Sequence, residues 1–298
     1  MINKNKQTQN SSIYLLLLGL IIIWGLSWPV SKIGLRYMPP LWFAAMRLSL
    51  GTVTMFFVVT CLGKFVWPRK EDLKIIFIIG FLQIGLFMTL VNIGLFHVDA
   101  GRSAILVYTT PLWVVPISVI FFKDHPSWKK WLGCGLGFIG ILVLFNPLKV
   151  NWSDHQAMFG NCILLAAALC WAIAILCARH MRWARRPIEL ISWQLLVGTI
   201  PVIVYALYKN PQAHIIWDNT LLFSLIYSGV LATAFGYWGT VVISKELPPI
   251  TTSLSLLAIP VIGLISSAFM LHETITLTLI VAMIFILLGL LCVITDRK

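Results

Sequence analysis

Charge is what this sequence has least of. Only 11% of its 298 residues are Asp, Glu, Lys or Arg, and 59% are hydrophobic. A soluble domain carries about 25% charge. So much apolar surface exceeds what a water-solvated fold can hide, and lipid must solvate part of it. Catalytic signatures are missing as well. No HExxH, GxSxG, GxxxxGK[ST] or GxGxxG pattern occurs, which argues against the common zinc-protease, serine-hydrolase, P-loop and dinucleotide chemistries. Without a nucleotide site a primary pump is disfavoured, no cofactor is expected, and the chain does not read as an enzyme. The six cysteines (Cys61, Cys134, Cys162, Cys170, Cys177 and Cys292) form no CxxC pair. Neither a disulfide framework nor a zinc site is expected from them; they read as small, reduced packing residues. Alternating ten-residue strands are absent, which argues against a β-barrel.

What is present is a series of apolar runs. About twenty apolar residues cross a bilayer, and ten runs qualify: 13–35, 41–62, 73–96, 101–122, 129–146, 157–178, 188–208, 219–243, 250–271 and 275–294. The loops between them are short. Backbone inside a bilayer must satisfy its own hydrogen bonds, so the expected fold class is an all-α integral membrane protein of ten transmembrane helices. The polar start, MINKNKQTQNSS, imitates a signal peptide, yet no small-x-small cleavage site follows it, and it reads as the tail of an uncleaved first helix. If the N-terminus is inside, sixteen of the 22 Lys and Arg fall on the inner side and five on the outer, with Arg47 within a span. That bias predicts cytoplasmic termini. It also accounts for the net charge of +12 without a nucleic-acid partner.

The runs repeat. Trp24, Pro40 and Arg47 meet Trp171, Pro187 and Gln194 at an offset of 147 residues. Pro111, Asp124 and Gly140 meet Pro260, Glu273 and Gly289 at an offset of 149. One small insertion reconciles the two registers. The expected organisation is a tail (1–12), a first five-helix repeat (13–146), a periplasmic connecting loop (147–156), a second five-helix repeat (157–294) and a tail (295–298). Five crossings is an odd number, so the second repeat enters from the opposite face. Such an inverted repeat has two near-equivalent arrangements and provides a basis for alternating access.

Candidate site residues follow from polarity and aromaticity inside the spans. The segment WGLSWP (24–29) sets Gly25 and Pro29 in mid-span: Gly25 admits a close neighbour, and Pro29 frees the Gly25 carbonyl from its helix bond. Trp24 and Trp28 share a face one turn apart. The expectation is a first helix that bends there and turns an aromatic face to a central cavity. The matching CWAIA segment around Trp171 has no proline, so the halves are not mechanically equivalent. Arg47 is the one charge well inside a span, with two readings: an anion-binding group, or a structural cation that snorkels or bonds carbonyls. Gln83, Asn92, Tyr108, Gln194, Tyr237 and Trp238 also lie in spans. Together with the tryptophans they describe an amphipathic pocket suited to small, partly apolar metabolites rather than inorganic ions. All ten carboxylates lie in loops or at span ends. A proton relay through membrane-embedded acids is therefore disfavoured. No metal ligand set is expected: His97 and His272 stand alone at span ends. GCGLGFIG (133–140) reads as a helix-packing stripe.

These residues resemble a known family. WGLSWPVSKIGL (24–35), PPLWFAAMRL (39–48), PLWVVPISVIFFKD (111–124), ALCWAIAIL (168–176) and PVIGLISSAFMLHE (260–273) look like EamA-type members of the drug/metabolite transporter superfamily. The resemblance implies an inner-membrane carrier with an inverted five-helix repeat, exporting or exchanging amino acids and related metabolites. Gly25, Pro29, Pro111, Pro260, Asp124 and Glu273 are expected to be structural or hinge positions; Asp124 departs from the family's usual Glu. The expected partners are a small-molecule metabolite and the lipid bilayer, and a homodimer is one assembly the sequence allows. The alternatives are a drug- or nucleoside-type permease of the same fold and, in a different class, a membrane scaffold or channel subunit.

Overall fold

The computed structural model describes residues 2–145 and 155–295, leaving aside the side chains of residues 2–11, Pro249 and Ile250. Most of the expected connecting loop and the last three residues lie outside that range. Ten helices are long and apolar enough to cross a membrane: Ser12–Gly34, Pro40–Cys61, Lys70–His97, Ala100–Phe122, Trp128–Phe145, His155–His180, Pro187–Lys209, Asn219–Glu246, Thr251–Leu271 and Leu277–Thr295. They are called here the first to the tenth span. The chain is a multi-pass, all-helical membrane protein. The first span belongs to a longer helix, Ile2–Gly34.

That helix passes through Pro29 without interruption. Irregular backbone is found in four other spans. The third span holds a π-helical stretch at Ile79–Leu86, and the eighth holds one at Tyr227–Phe235. The fourth span is two helices, Ala100–Val107 and Thr110–Phe122, and the ninth is Pro249–Leu256 and Ala258–Leu271. Local sequence explains the splits. Pro111 and Pro260 sit in the first turn of the second piece, where a missing N–H costs no helix bond. Both second pieces end on a left-handed residue, Lys123 (φ 55°) and His272 (φ 56°). The same irregularities therefore recur at an offset of 148–149 residues.

Packing follows the same rule. The tenth span packs on the fifth, the second on the seventh, and the ninth on the first half of the fourth. The seventh packs on the π stretch of the third, as the second does on that of the eighth. The third packs on the sixth as the eighth does on the first, and the first meets the ninth as the sixth meets the fourth. Exchanging each span for the one five places away turns each of these pairs into another of them or into itself. Thr52 and Thr199, which correspond at 147 residues, share a hydrogen bond of 2.8 Å between their hydroxyls. Small residues permit the closest of these approaches, as the glycine stripe implied. A Cβ at Gly133 would lie 2.5 Å from the Gly289 carbonyl oxygen, and one at Gly140 would lie 2.9 Å from the carbonyl of Ala282. Lipid gives helices no hydrophobic reason to associate, so van der Waals contact at such glycines carries the association.

Loop contacts sort the bundle into two ends. At one end Tyr37 accepts from the Ile216 N–H, and Trp42 donates to Asn210. At the other, Trp193 donates to the Val66 carbonyl, Arg185 pairs with Asp72 at 3.3 Å, and Phe122 stacks on His180. Ten crossings bring the last helix back to the face from which the first begins.

Candidate functional site

Six spans, three of them irregular, line a cavity of about 650 Å³, counting its open mouth. The first span contributes Trp24, Ser27, Trp28 and Ser31, which recur at three and four residues and so form one helix face. Arg47 enters from the second span. Phe87, Met88, Val91 and Leu95 form an apolar wall on the third. Val107 and Tyr108 lie at the split in the fourth, Trp171 on the sixth, and Ala232 and Tyr237 on the eighth. Both halves of the chain thus supply walls.

The first span is held against the cavity from two sides. A Cβ at Gly25 would collide with Ile262 of the ninth span, so glycine is what lets those helices touch. The Trp24 indole N–H donates to the Ala232 carbonyl at 2.9 Å. That carbonyl belongs to the π stretch, where the backbone departs from the α pattern. Gly236 makes room for the indole. Trp171 packs on Phe87 with ring centroids 4.9 Å apart, which fixes the opposite wall.

Arg47 is 6% exposed. Its Nε donates to the Thr233 hydroxyl at 3.1 Å and its Nη1 to the Ser31 hydroxyl at 3.4 Å. Thr233 donates in turn to the Ser228 carbonyl at 2.7 Å, and the Ser31 and Ser228 hydroxyls are 3.2 Å apart. No carboxylate pairs with Arg47, and Nη2 has no protein acceptor among the described residues. The guanidinium is oriented by neutral hydroxyls and faces the cavity with its charge uncompensated.

Of the ten residues expected to bind, six line the cavity: Trp24, Trp28, Arg47, Tyr108, Trp171 and Tyr237. The other four do not. Trp238 packs on Phe235, 5.4 Å between centroids, and Gln83 is half-buried on the π stretch of the third span. Asn92 is fully buried; it donates to the Met88 carbonyl at 2.7 Å, and its Oδ1 has no partner. Gln194, the counterpart of Arg47, is buried with Nε2 unpartnered. The physical reason is local. The hydroxyls that orient Arg47, Ser31 and Thr233, correspond to Ala178 and Ile84, so nothing holds Gln194 in the same way. The halves share a backbone plan, but the charge of Arg47 has no equivalent at Gln194.

Sequence reasoning missed Ser27, Ser31, the third-span wall, Val107 and Ala232. The serines were findable, since they fall on the Trp24–Trp28 face. The wall was not: an apolar stripe on a membrane helix looks alike whether it meets lipid, protein or a cavity. The expected structural positions behave unequally. Glu273 accepts the N–H of Ala100 at 2.7 Å and of Gly101 at 3.0 Å, capping the fourth span from the end of the ninth. Asp124 makes no equivalent side-chain bond among the described residues; its counterpart helix starts Pro248-Pro249, and Pro249 has no N–H to give.

Comparison with known proteins agrees with this architecture. The model of the EamA-like transporter family matches residues 11–146 and again 158–295. An uncharacterized transporter of Bacillus subtilis (strain 168), YoaV, is 30% identical over 277 residues, covering 92% of this chain and 94% of that one. A protein of Escherichia coli (strain K12) named a probable amino-acid metabolite efflux pump is 31% identical over 284 residues, 91% of this chain and 90% of its own. A solved crystal structure superposes with a TM-score of 0.64 at 18% identity, over 95% of this chain and 96% of that chain, which shows the shared fold. A ten-span bundle, a family match repeated in both halves and transporter relatives along nearly the whole length lead to one statement: the chain belongs to the EamA-like transporter family.

Proposed function

We propose that the chain is a secondary carrier of small organic metabolites, with amino acids or related compounds as the leading class and export or exchange as the direction. The observation that carries this reading is a cavity with aromatic walls and a single oriented guanidinium, formed where the two halves meet. Aromatic faces suit an apolar body, and the guanidinium suits a carboxylate. The reading takes residues 13–146 and 157–294 as inverted repeats that rock about this site, with both termini cytoplasmic in a bacterial inner membrane. Neighbour relations that survive exchange of the halves support it, as does the excess of basic residues in one set of loops. The name of the Escherichia coli relative supports the amino-acid class.

The test is reconstitution of the purified chain in liposomes with a panel of labelled amino acids, oxo acids, nucleosides and cationic drugs. Saturable flux of at least one small carboxylate-bearing metabolite is expected. Unitary ionic currents without saturable flux would instead identify a channel.

A further inference from the structure

The charge inventory of the cavity narrows the substrate class. Arg47 is a buried cation without a counterion. All ten carboxylates of the sequence lie in loops or at span ends, and none of those among the described residues lines the cavity. A buried charge without a partner is costly, and one that persists inside a membrane protein usually marks a ligand or ion path. The missing counterion is then the cargo.

Within the amino-acid and related class, the charge inventory matches the carboxylate and leaves an ammonium unmatched. With an amino acid's carboxylate on Arg47, its ammonium, one carbon away, stands beside the same guanidinium. No acid is there to neutralise it. The cavity hydroxyls offer it neutral acceptors only: Ser27, whose proton goes to the Trp24 carbonyl at 2.7 Å, and Ser31, which accepts from Arg47. Indole faces attract organic cations, but Arg47 opposes one in the same cavity. The other cation near this end, Lys32, is tied to the carbonyls of Leu95, Phe96 and Val98. The pocket therefore offers one positive site, apolar walls, the neutral hydroxyls of Ser27, Ser31, Tyr108 and Tyr237 and, among the described residues, no carboxylate.

Building on the carrier reading above, we infer that the substrate is an organic monoanion without a free ammonium, such as a 2-oxo acid or an N-acylated amino acid, and that its transport is electrogenic. The loaded site is neutral and the empty site returns with the charge of Arg47, so each cycle moves one negative charge. No embedded acid is needed for coupling. A membrane potential of 100 mV, negative inside, drives such an anion outward to a gradient of about 50-fold.

A charge series on one apolar body tests this: phenylpyruvate, phenylalanine and phenethylamine, with 4-methyl-2-oxopentanoate and leucine as an aliphatic pair. The full chain is reconstituted in liposomes whose potential is set by potassium and valinomycin. Oxo-acid uptake at least ~10-fold faster than that of the matching amino acid is expected, rising when the interior is made positive, with no uptake of the amine. Arg47→Lys keeps the charge but loses the planar fork; it is expected to be slower with the potential dependence intact, whereas Arg47→Gln loses the preference for the oxo acid. Equal or faster amino-acid uptake, or oxo-acid uptake indifferent to the sign of the potential, overturns the inference and leaves the carrier reading standing. No saturable flux of any metabolite in this series or the wider panel overturns both.

Discussion

A single arginine gives this cavity its chemistry, and its effect depends on what stands around it. Arg47 has hydroxyl partners where an ion-paired arginine would have an acid, so its charge is left for a ligand. Removing it costs the ligand a charge-assisted hydrogen bond, on the order of 1.5–3 kcal/mol, or ~10- to 150-fold in flux. Arg47→Ala should therefore lower transport per folded molecule far more than it lowers membrane abundance. Trp24→Ala should do the same by about tenfold, because it removes both a cavity wall and the bond to Ala232. Flux assays normalised to folded protein check both; wild-type rates would remove either residue from the site. Asn92 makes the opposite case. It lies outside the cavity lining and buries an unpartnered Oδ1. Replacing a half-satisfied buried amide by an apolar side chain of similar size is near neutral or stabilising. Asn92→Leu should leave flux unchanged and hold or raise the melting temperature in detergent. A fall in flux without a fall in melting temperature would give Asn92 a part in binding.

The elements that matter are the irregular ones. A π stretch or a split helix inside a membrane leaves backbone groups to be satisfied by neighbours, and such backbone persists only against protein or a cavity. All four irregular spans contribute here: the third, fourth and eighth line the cavity, and the ninth packs on the first and fourth. The cross-bundle cap by Glu273 shows how one split span is kept in register. It satisfies two first-turn N–H groups of the Ala100–Val107 helix. Glu273→Gln keeps the shape and removes the charge, and should destabilise the protein by about 1 kcal/mol. Asp124→Asn, at the counterpart position without such bonds, should change stability by less than ~0.5 kcal/mol. Thermal unfolding of the two variants side by side measures the difference, and equal effects would contradict the assignment. The proline at residue 29 teaches a related lesson. Composition predicted a bend there, and the helix continues unbroken through it to Gly34. Proline is tolerated inside membrane helices where neighbours supply contacts, and the ninth span presses on Gly25 just before it.

At the scale of the whole molecule, ten crossings and exchangeable neighbour relations make a definite topological prediction. Membrane-impermeant labels at the two chain ends should report the same face, and opening the cell should expose both together. Labels on opposite faces would mean an odd number of crossings and would undo the inverted pairing. Much of this was legible beforehand. Hydropathy located every span to within a few residues, because a bilayer imposes a length that a linear pattern can display. The offsets between Trp24 and Trp171, and between Pro111 and Pro260, anticipated the recurrence of irregular helices. Amino-acid order alone thus determined the number of helices, their duplication and the isolation of Arg47 from acids, since each is a property of position along the chain. Only the tertiary structure decided which polar residues share the cavity. Trp24 and Tyr237 line it while Asn92 and Gln194 do not, and that sorting depends on helix rotation and on partners such as Ser31 and Thr233. A membrane helix can present apolar residues to lipid, protein or cavity alike, so its orientation is set by packing contacts that no local pattern records.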